Sequence, residues 1–270
     1  MLNNITIGQY VPGRSLVHRM DPRAKLIITF LYVVAIFFIQ SFVGYAAAAL
    51  FVAASILASK LKLVFVLRSL KPLVFILVFT FVLNVLLTKG ETVWWQWGPI
   101  TLSREGVLQA VYLAIRLVLL VSATSVLTLT TAPMALTDAM ESLMRPLGKI
   151  GFPAHELAMM MTIALRFIPT LLEETDKIMK AQKARGADFD SGNLMKKAKS
   201  MVPLLVPLFV SAFRRADELA MAMESRCYHG GEGRTRMKQL RFSKADAVGF
   251  LGFALAVALI AADCVRVALL

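Results

Sequence analysis

Two arginines carry the clearest recognition chemistry in the chain. Arg185, in K-A-Q-K-A-R-G-A-D-F, and Arg226, in A-M-E-S-R-C-Y-H-G-G, each close a long helical pattern between small residues. The flanks are Ala184 and Gly186 in the first motif, and Ser225 and Cys227 in the second. A guanidinium offers five donors in a planar fork that suits carboxylates or carbonyls on a partner. Small neighbours leave that fork unshielded and let another surface approach the backbone. For either tip alone, an arginine that complements the dipole of the last helical turn is an adequate account. The pair says more. Aligned on arginines 41 positions apart, residues 176–185 lie over 217–226 with five of ten positions matched: Asp, an aliphatic, Ala, a small residue and Arg. Two equivalent helix tips point to docking.

Bond-making chemistry is sparse elsewhere. No G-x-x-x-x-G-K-[ST] phosphate loop is present, and the glycine-rich run Gly230-Gly231-Glu232-Gly233 follows a helix where a nucleotide loop would follow a strand. His18, His155 and His229 stand apart in sequence, and His155-Glu156 lacks the second histidine of a zinc-protease helix, so no metal or cofactor is expected in this chain. Cys227 and Cys264 are expected on opposite faces of a bilayer and therefore unbridged.

The elements that must position the tips are unusual in composition. Of 270 residues 58% are apolar and 17% charged, against about 25% charged in ordinary soluble domains. The net charge of +13 sits between apolar segments that need lipid, which excludes nucleic-acid binding. A span needs roughly 20 apolar residues. Five stretches qualify: 26–43, 44–59, 70–88, 106–131 and 245–270. Arg14, Arg19, Arg23 and Lys25 precede the first, which lacks a small-residue cleavage site and reads as a signal anchor. Lys60, Lys62, Arg68 and Lys71 follow the second; Trp94, Trp95 and Trp97 cluster in the connection after the third, at an expected headgroup level. Basic residues mark cytoplasmic loops, so the N-terminus is expected inside and the C-terminus outside. Arg116 lies well inside a span, either on a substrate path or as a structural residue that snorkels or bonds a partner such as Asn84.

Residues 132–244 hold 18 of the 30 Lys and Arg and 12 of the 17 acidic residues, so they read as a cytoplasmic insert before the last span. The expected organisation is an arm with four spans over 1–131, a coupling domain over 132–244 and a last span over 245–270. Three helices are expected in the insert, near 136–149, 154–185 and 194–227, apolar at their starts and charged at their arginine ends, as suits a membrane surface. The acidic run Glu173-Glu174-x-Asp176 reads as a solvated face, and Arg214-Arg215 and Lys196-Lys197-x-Lys199 as headgroup contacts. Twelve of 14 methionines fall between 133 and 244, which suits helix packing or a surface for several partners.

With these residues in view, the chain resembles the transmembrane T subunit of energy-coupling factor (ECF) transporters. Ala184-Arg185-Gly186 matches that family's coupling motif in full; Ser225-Arg226-Cys227 keeps the arginine and small flanks but departs from Ala-Arg-Gly, leaving the helix stop to Gly230 or Gly231. G-Q-Y-V-P-G-R-S-L-V-H-R-M-D-P-R-A-K-L, residues 8–26, resembles the family's N-terminal segment. The resemblance implies an all-α integral membrane protein with about five spans and three coupling helices. It implies two ABC-type ATPases that bind the ATP and dock on Ala184, Arg185, Gly186, Ser225, Arg226 and Cys227. It further implies one or more substrate-binding S subunits, import of a vitamin or metal ion, and a prokaryotic plasma membrane. The rival readings are a membrane-embedded lipid-modifying enzyme, which needs an acidic or histidine cluster at a membrane face, and an ion-coupled secondary transporter, which needs ionisable residues along the spans.

Overall fold

A computed structural model describes residues 10–88, 92–97, 100–187, 189, 194–231 and 239–269. Its helices are α1 (Leu16–Arg19), α2 (Pro22–Phe37), α3 (Phe42–Ser59), α4 (Leu63–Leu70), α5 (Val74–Leu87), α6 (Arg104–Thr130), α7 (Pro133–Met144), α8 (Ala154–Ala184), α9 (Leu194–Glu224) and α10 (Lys244–Leu269). The protein is an all-α membrane protein with one small addition, an antiparallel hairpin of β1 (Val93–Trp97) and β2 (Ile100–Ser103). Nothing in the spacing of the tryptophan cluster announced the hairpin, although its residues are aromatic and β-branched. The expected headgroup placement of Trp94, Trp95 and Trp97, and of the lysines at 196, 197 and 199, concerns side chains outside the described residues. Gly8, Gln9, Lys89, Glu91, Glu232 and Gly233 also lie outside them. Two compact units form, one of Gly8–Ala139 with Gln239–Leu270 and one built on Met140–Lys238.

Five helical stretches are long and apolar enough to cross a bilayer: Phe42–Ser59, Leu63–Leu87, Arg104–Thr130, Ala154–Ala184 and Lys244–Arg266. This set differs from the expected one at three places. The first apolar run is cut to 16 residues in α2, because Ser41 accepts from Gly44 N and starts α3 there. At a rise of about 1.5 Å per residue, α2 reaches about 24 Å. Ala154–Ala184, expected only as a coupling helix, has the length of a span, with the lowest hydropathy of the five at 1.2. The third stretch also starts earlier than its expected residue 70. Pro72 tightens the chain into a single 3-10 turn, Lys71–Leu73, between α4 and α5 without ending the helix.

Within the larger unit α6 is the hub, packed on α2, α3, α4 and α5, while α10 packs on α2 and α3. Tyr32, Ile36, Ala48, Val52, Val126 and Leu129 form the buried centre. Arg116 on α6 is a structural tie: it donates to Tyr45 Oη at 3.0 Å and Ile39 O at 3.3 Å, and lies 5.5 Å from the Phe37 ring centroid. Asn84 is not its partner, since that amide donates to Thr80 O on its own helix.

A polar layer joins the starts of α2 and α10 to the end of α6. Asp246, 2% exposed, accepts from Asp21 N at 2.6 Å, Ser243 N at 2.5 Å and Ser243 Oγ at 2.9 Å. Asp21 caps α2 through Arg23 N and pairs with the Arg23 guanidinium, which lies over Phe242. Lys25 Nζ donates to Thr130 O at 3.0 Å and Thr131 Oγ1 at 3.4 Å. Asp246→Ala strands two backbone N–H groups at about 1–3 kcal/mol each. The melting temperature of the protein in detergent should then fall by about 5–15 °C, with Thr124→Ala, at an exposed local hydroxyl–carbonyl bond on α6, nearly silent.

Candidate functional site

The smaller unit is built on α8 and α9, each 31 residues long. Pro169 interrupts the backbone ladder of α8, and Pro203 and Pro207 that of α9. The two helices run antiparallel. Gln182 Nε2 reaches Pro203 O at 3.4 Å. Further along, Glu174 accepts from Ser211 Oγ at 2.5 Å and Arg215 at 2.9 Å. Past the end of α9, Tyr228 Oη lies 3.5 Å from His155 Nε2 at the start of α8. The acidic run of α8 is therefore not only a solvated face, and Arg215 is not a free headgroup contact. Glu174 and Arg215 form the clasp between the helices, while Arg214 is exposed.

Antiparallel pairing sends the two arginine tips to opposite ends. The contacts place residue 185 beside the start of α9, so Arg226 lies roughly 26 residues further along, about 40 Å at 1.5 Å per residue. All six predicted residues, Ala184, Arg185, Gly186, Ser225, Arg226 and Cys227, are exposed.

The tips are equivalent in backbone as well as in sequence. At the first, Gly186 has φ +85°, Gly186 N donates to Lys183 O at 3.0 Å, and Ala187 N reaches back to Gln182 O at 3.0 Å. At the second, Cys227 has φ 55°, Cys227 N donates to Glu224 O at 2.8 Å, and Tyr228 N reaches back to Met223 O at 3.1 Å. Both are Schellman caps with the arginine as C-cap and the next residue left-handed. Cys227 itself ends the helix, which corrects the expectation that Gly230 or Gly231 would. A side chain in this conformation costs about 1–2 kcal/mol, and the residues just after it are held against His155 at the start of α8. His155 Nδ1 donates to Glu141 Oε1 at 2.9 Å, Tyr228 Oη meets the other ring nitrogen, Nε2, at 3.5 Å, and Gly231 packs so tightly that an added Cβ would lie 2.5 Å from the imidazole. Sequence reading missed this brace because its members lie 14 and 73 positions from His155.

The exposed surface of α9 is apolar along Val202, Leu205, Val206, Phe209, Val210 and Phe213, at helical spacing on one side. Leu204 is the buried hydrophobic residue of that helix among the described residues.

His155→Ala should speed amide hydrogen exchange at Arg226, Cys227 and Tyr228 by about 3–10-fold, the loss of one hydrogen bond worth about 1 kcal/mol. Exchange at Arg185, Gly186 and Ala187 should not change. Equal acceleration at both tips would show that the brace does not act locally.

Comparison with known proteins places this arrangement in a family. The family model described as cobalt transport protein CbiQ matches residues 13–237. The chain is 58% identical over 250 residues to a protein of Thermosediminibacter oceani named energy-coupling factor transporter transmembrane protein EcfT, covering 93% of this chain and 94% of that one. Proteins with the same name match from Ruminiclostridium cellulolyticum, at 58% identity over 92% of each chain, and from Bacillus subtilis, at 50% over 91% of this chain and 93% of that one. The chain belongs to the CbiQ/EcfT family of energy-coupling factor transporter transmembrane proteins.

Proposed function

We propose that this chain is the non-catalytic coupling subunit of an ATP-driven importer. Two ABC-type ATPases each take one arginine tip, Ala184-Arg185-Gly186 and Ser225-Arg226-Cys227, and bind all of the ATP. Their closure moves the tips, and α8 and α9 pass that motion to a substrate-binding S subunit in the membrane. The cargo is a vitamin or a metal ion; the cobalt transport description of the family model supports the second.

The observation that carries this reading is the pair of matched Schellman caps at opposite ends of one helix pair. A separation of about 40 Å suits two sockets on two different ATPases better than one pocket on a single partner. An exposed guanidinium with small flanks suits insertion into a groove that offers carboxylates or carbonyls. The apolar face of α9 supplies a surface for a membrane-embedded partner. Basic residues of the N-terminal arm favour a cytoplasmic N-terminus in a prokaryotic plasma membrane. On that topology residues 132–244 form the cytoplasmic coupling domain and the C-terminus is external.

The test is co-purification from native membranes. Unmodified chain should bring two ABC-type ATPases; Arg185→Glu or Arg226→Glu should each lose one, and the double variant both. Truncating one partner of a buried charged contact costs about 2–5 kcal/mol, and reversal of charge should cost no less. ATPases that persist with the double variant would make the tips ordinary helix ends. A second prediction concerns the isolated chain, which should hydrolyse no ATP at any concentration; hydrolysis that tracks the purified chain would make it an enzyme and end this reading.

A further inference from the structure

The larger unit contains a groove bounded by α1, α2, α3, α6 and α10, with a volume of about 350 Å³. That lies within the range of about 300–1,000 Å³ typical of small-molecule sites. Its walls are apolar, and small residues such as Ala47, Ala54, Gly249 and Gly252 make the room. A Cβ added at Gly252 would meet nothing within 4 Å, so the groove is open there. Leu50, Leu255 and Leu259 on its rim are exposed. Along α10 it extends from Ala245 to Leu259, about 20 Å at 1.5 Å per residue and somewhat more than the roughly 15 Å depth of one leaflet.

One charged residue lines this space, Lys25, and it is 6% exposed. The ammonium has three donors, and its two acceptors, Thr130 O and Thr131 Oγ1, are uncharged. The neighbouring carboxylates are engaged elsewhere: Asp246 by Asp21 N and Ser243, Asp21 by Arg23. Among the described residues no carboxylate lies within ion-pair distance of Lys25 Nζ. The hydroxyls of Tyr32, Ser55 and Thr130, which share the lining, already donate to backbone carbonyls. Asp246 and Asp21 favour the charged form of Lys25 from a distance, yet the direct acceptors are neutral and number two for three donors, so a buried ammonium here gains from an anion that reaches it through the groove. The cation sits at one end of the groove, beside the polar layer where α2 and α10 begin and α6 ends. Arg14 and Arg19 stand exposed on the arm that also supplies Leu16, Val17 and Met20 to the wall.

We propose that this groove holds one acyl chain of an anionic phospholipid, with the lipid phosphate drawn to Lys25. A transmembrane helix is about 10 Å across and needs far more room over the same length. A free anion would leave the apolar walls empty. One acyl chain in the groove, with the glycerol-linked phosphate of the same lipid at the Lys25 end, matches both the dimensions and the charge, and the site serves as a fixed lipid position independent of the helix tips.

The experiment uses the full chain, expressed in membranes that contain both phosphatidylglycerol and phosphatidylethanolamine and purified in mild detergent. Mass spectrometry then counts the phospholipid retained per chain. About one phosphatidylglycerol per chain should be retained, enriched at least fivefold over its share of the membrane. Gly252→Phe fills the open part of the groove and should remove that lipid, whereas Leu251→Phe, at an exposed position next to it, should not. Lys25→Met should keep a lipid but abolish the preference for phosphatidylglycerol, and Lys25→Arg should keep the preference. If Gly252→Phe fails to fold, Ala54→Met from the opposite wall makes the same test. Retention unchanged by either filling variant, or no enrichment of phosphatidylglycerol with the unmodified chain, overturns the proposal.

Discussion

The hydrogen bond that runs from the second residue past each long helix back to the third carbonyl inside it governs the shape of both arginine tips. It occurs twice, Ala187 N to Gln182 O and Tyr228 N to Met223 O. In both cases it forces the residue after the arginine into the left-handed region and turns the chain away from the helix axis. The arginine then stands at the last helical position with its neighbours swept aside, which is why all six tip residues are exposed. Glycine meets this requirement at 186 without strain; cysteine meets it at 227 with help from outside the motif. The brace of His155, Glu141, Tyr228 and Gly231 is best understood as what lets the second tip keep the geometry of the first.

A different constraint shapes the unit that holds most of the apolar spans. Apolar helices slide and rotate freely against one another unless something fixes their depth, and here the buried carboxylate of Asp246 does so by accepting from the starts of two helices at once. Asp21, Arg23 and Lys25 extend the layer, so the D-P-R-A-K segment caps α2, stacks on Phe242 and reaches the end of α6 within five residues. At the other end of the bundle Arg116 ties α6 to α3 and to the turn before it through Tyr45 and Ile39. Both charged features in this unit are therefore hydrogen-bonded to defined partners, as buried charges must be. Lys25 and Arg116 both donate to uncharged acceptors; of the two, Lys25 is the more deeply buried and lines the apolar groove.

Much of the fold was legible in the residues because local chemistry dictates it. Asp21 before Pro22, Ser41 before Gly44 and Ser103 before Gly106 are capping signals that act over two or three positions. The charged ends of α8 and α9 and their arginines were legible for the same reason. Boundaries inside apolar runs were not. Residues 26–43 read as one span because nothing in their hydropathy marks the break that Ser41 imposes, and the stretch expected from residue 70 begins at Leu63, with Pro72 in a tight turn inside it. Hydropathy alone also leaves Ala154–Ala184 ambiguous between a span and an interfacial helix, since its first half is apolar and its second half charged.

What the sequence by itself determined is the class of molecule, most of its helices, and the two arginine-tipped helix ends, because composition, periodicity and turn chemistry operate over a few neighbouring residues. Tertiary structure alone decided where those arginines stand relative to each other. The antiparallel clasp of Glu174 with Ser211 and Arg215 puts them at opposite ends of one helix pair, and no local pattern encodes a contact across 37 or 41 positions. It also decided that Cys227 could stand where its counterpart is glycine, and that Lys25 would line an apolar groove with no carboxylate in direct contact. Each of those outcomes depends on side chains that meet only after distant helices pack, which is a property of the fold and not of any one segment.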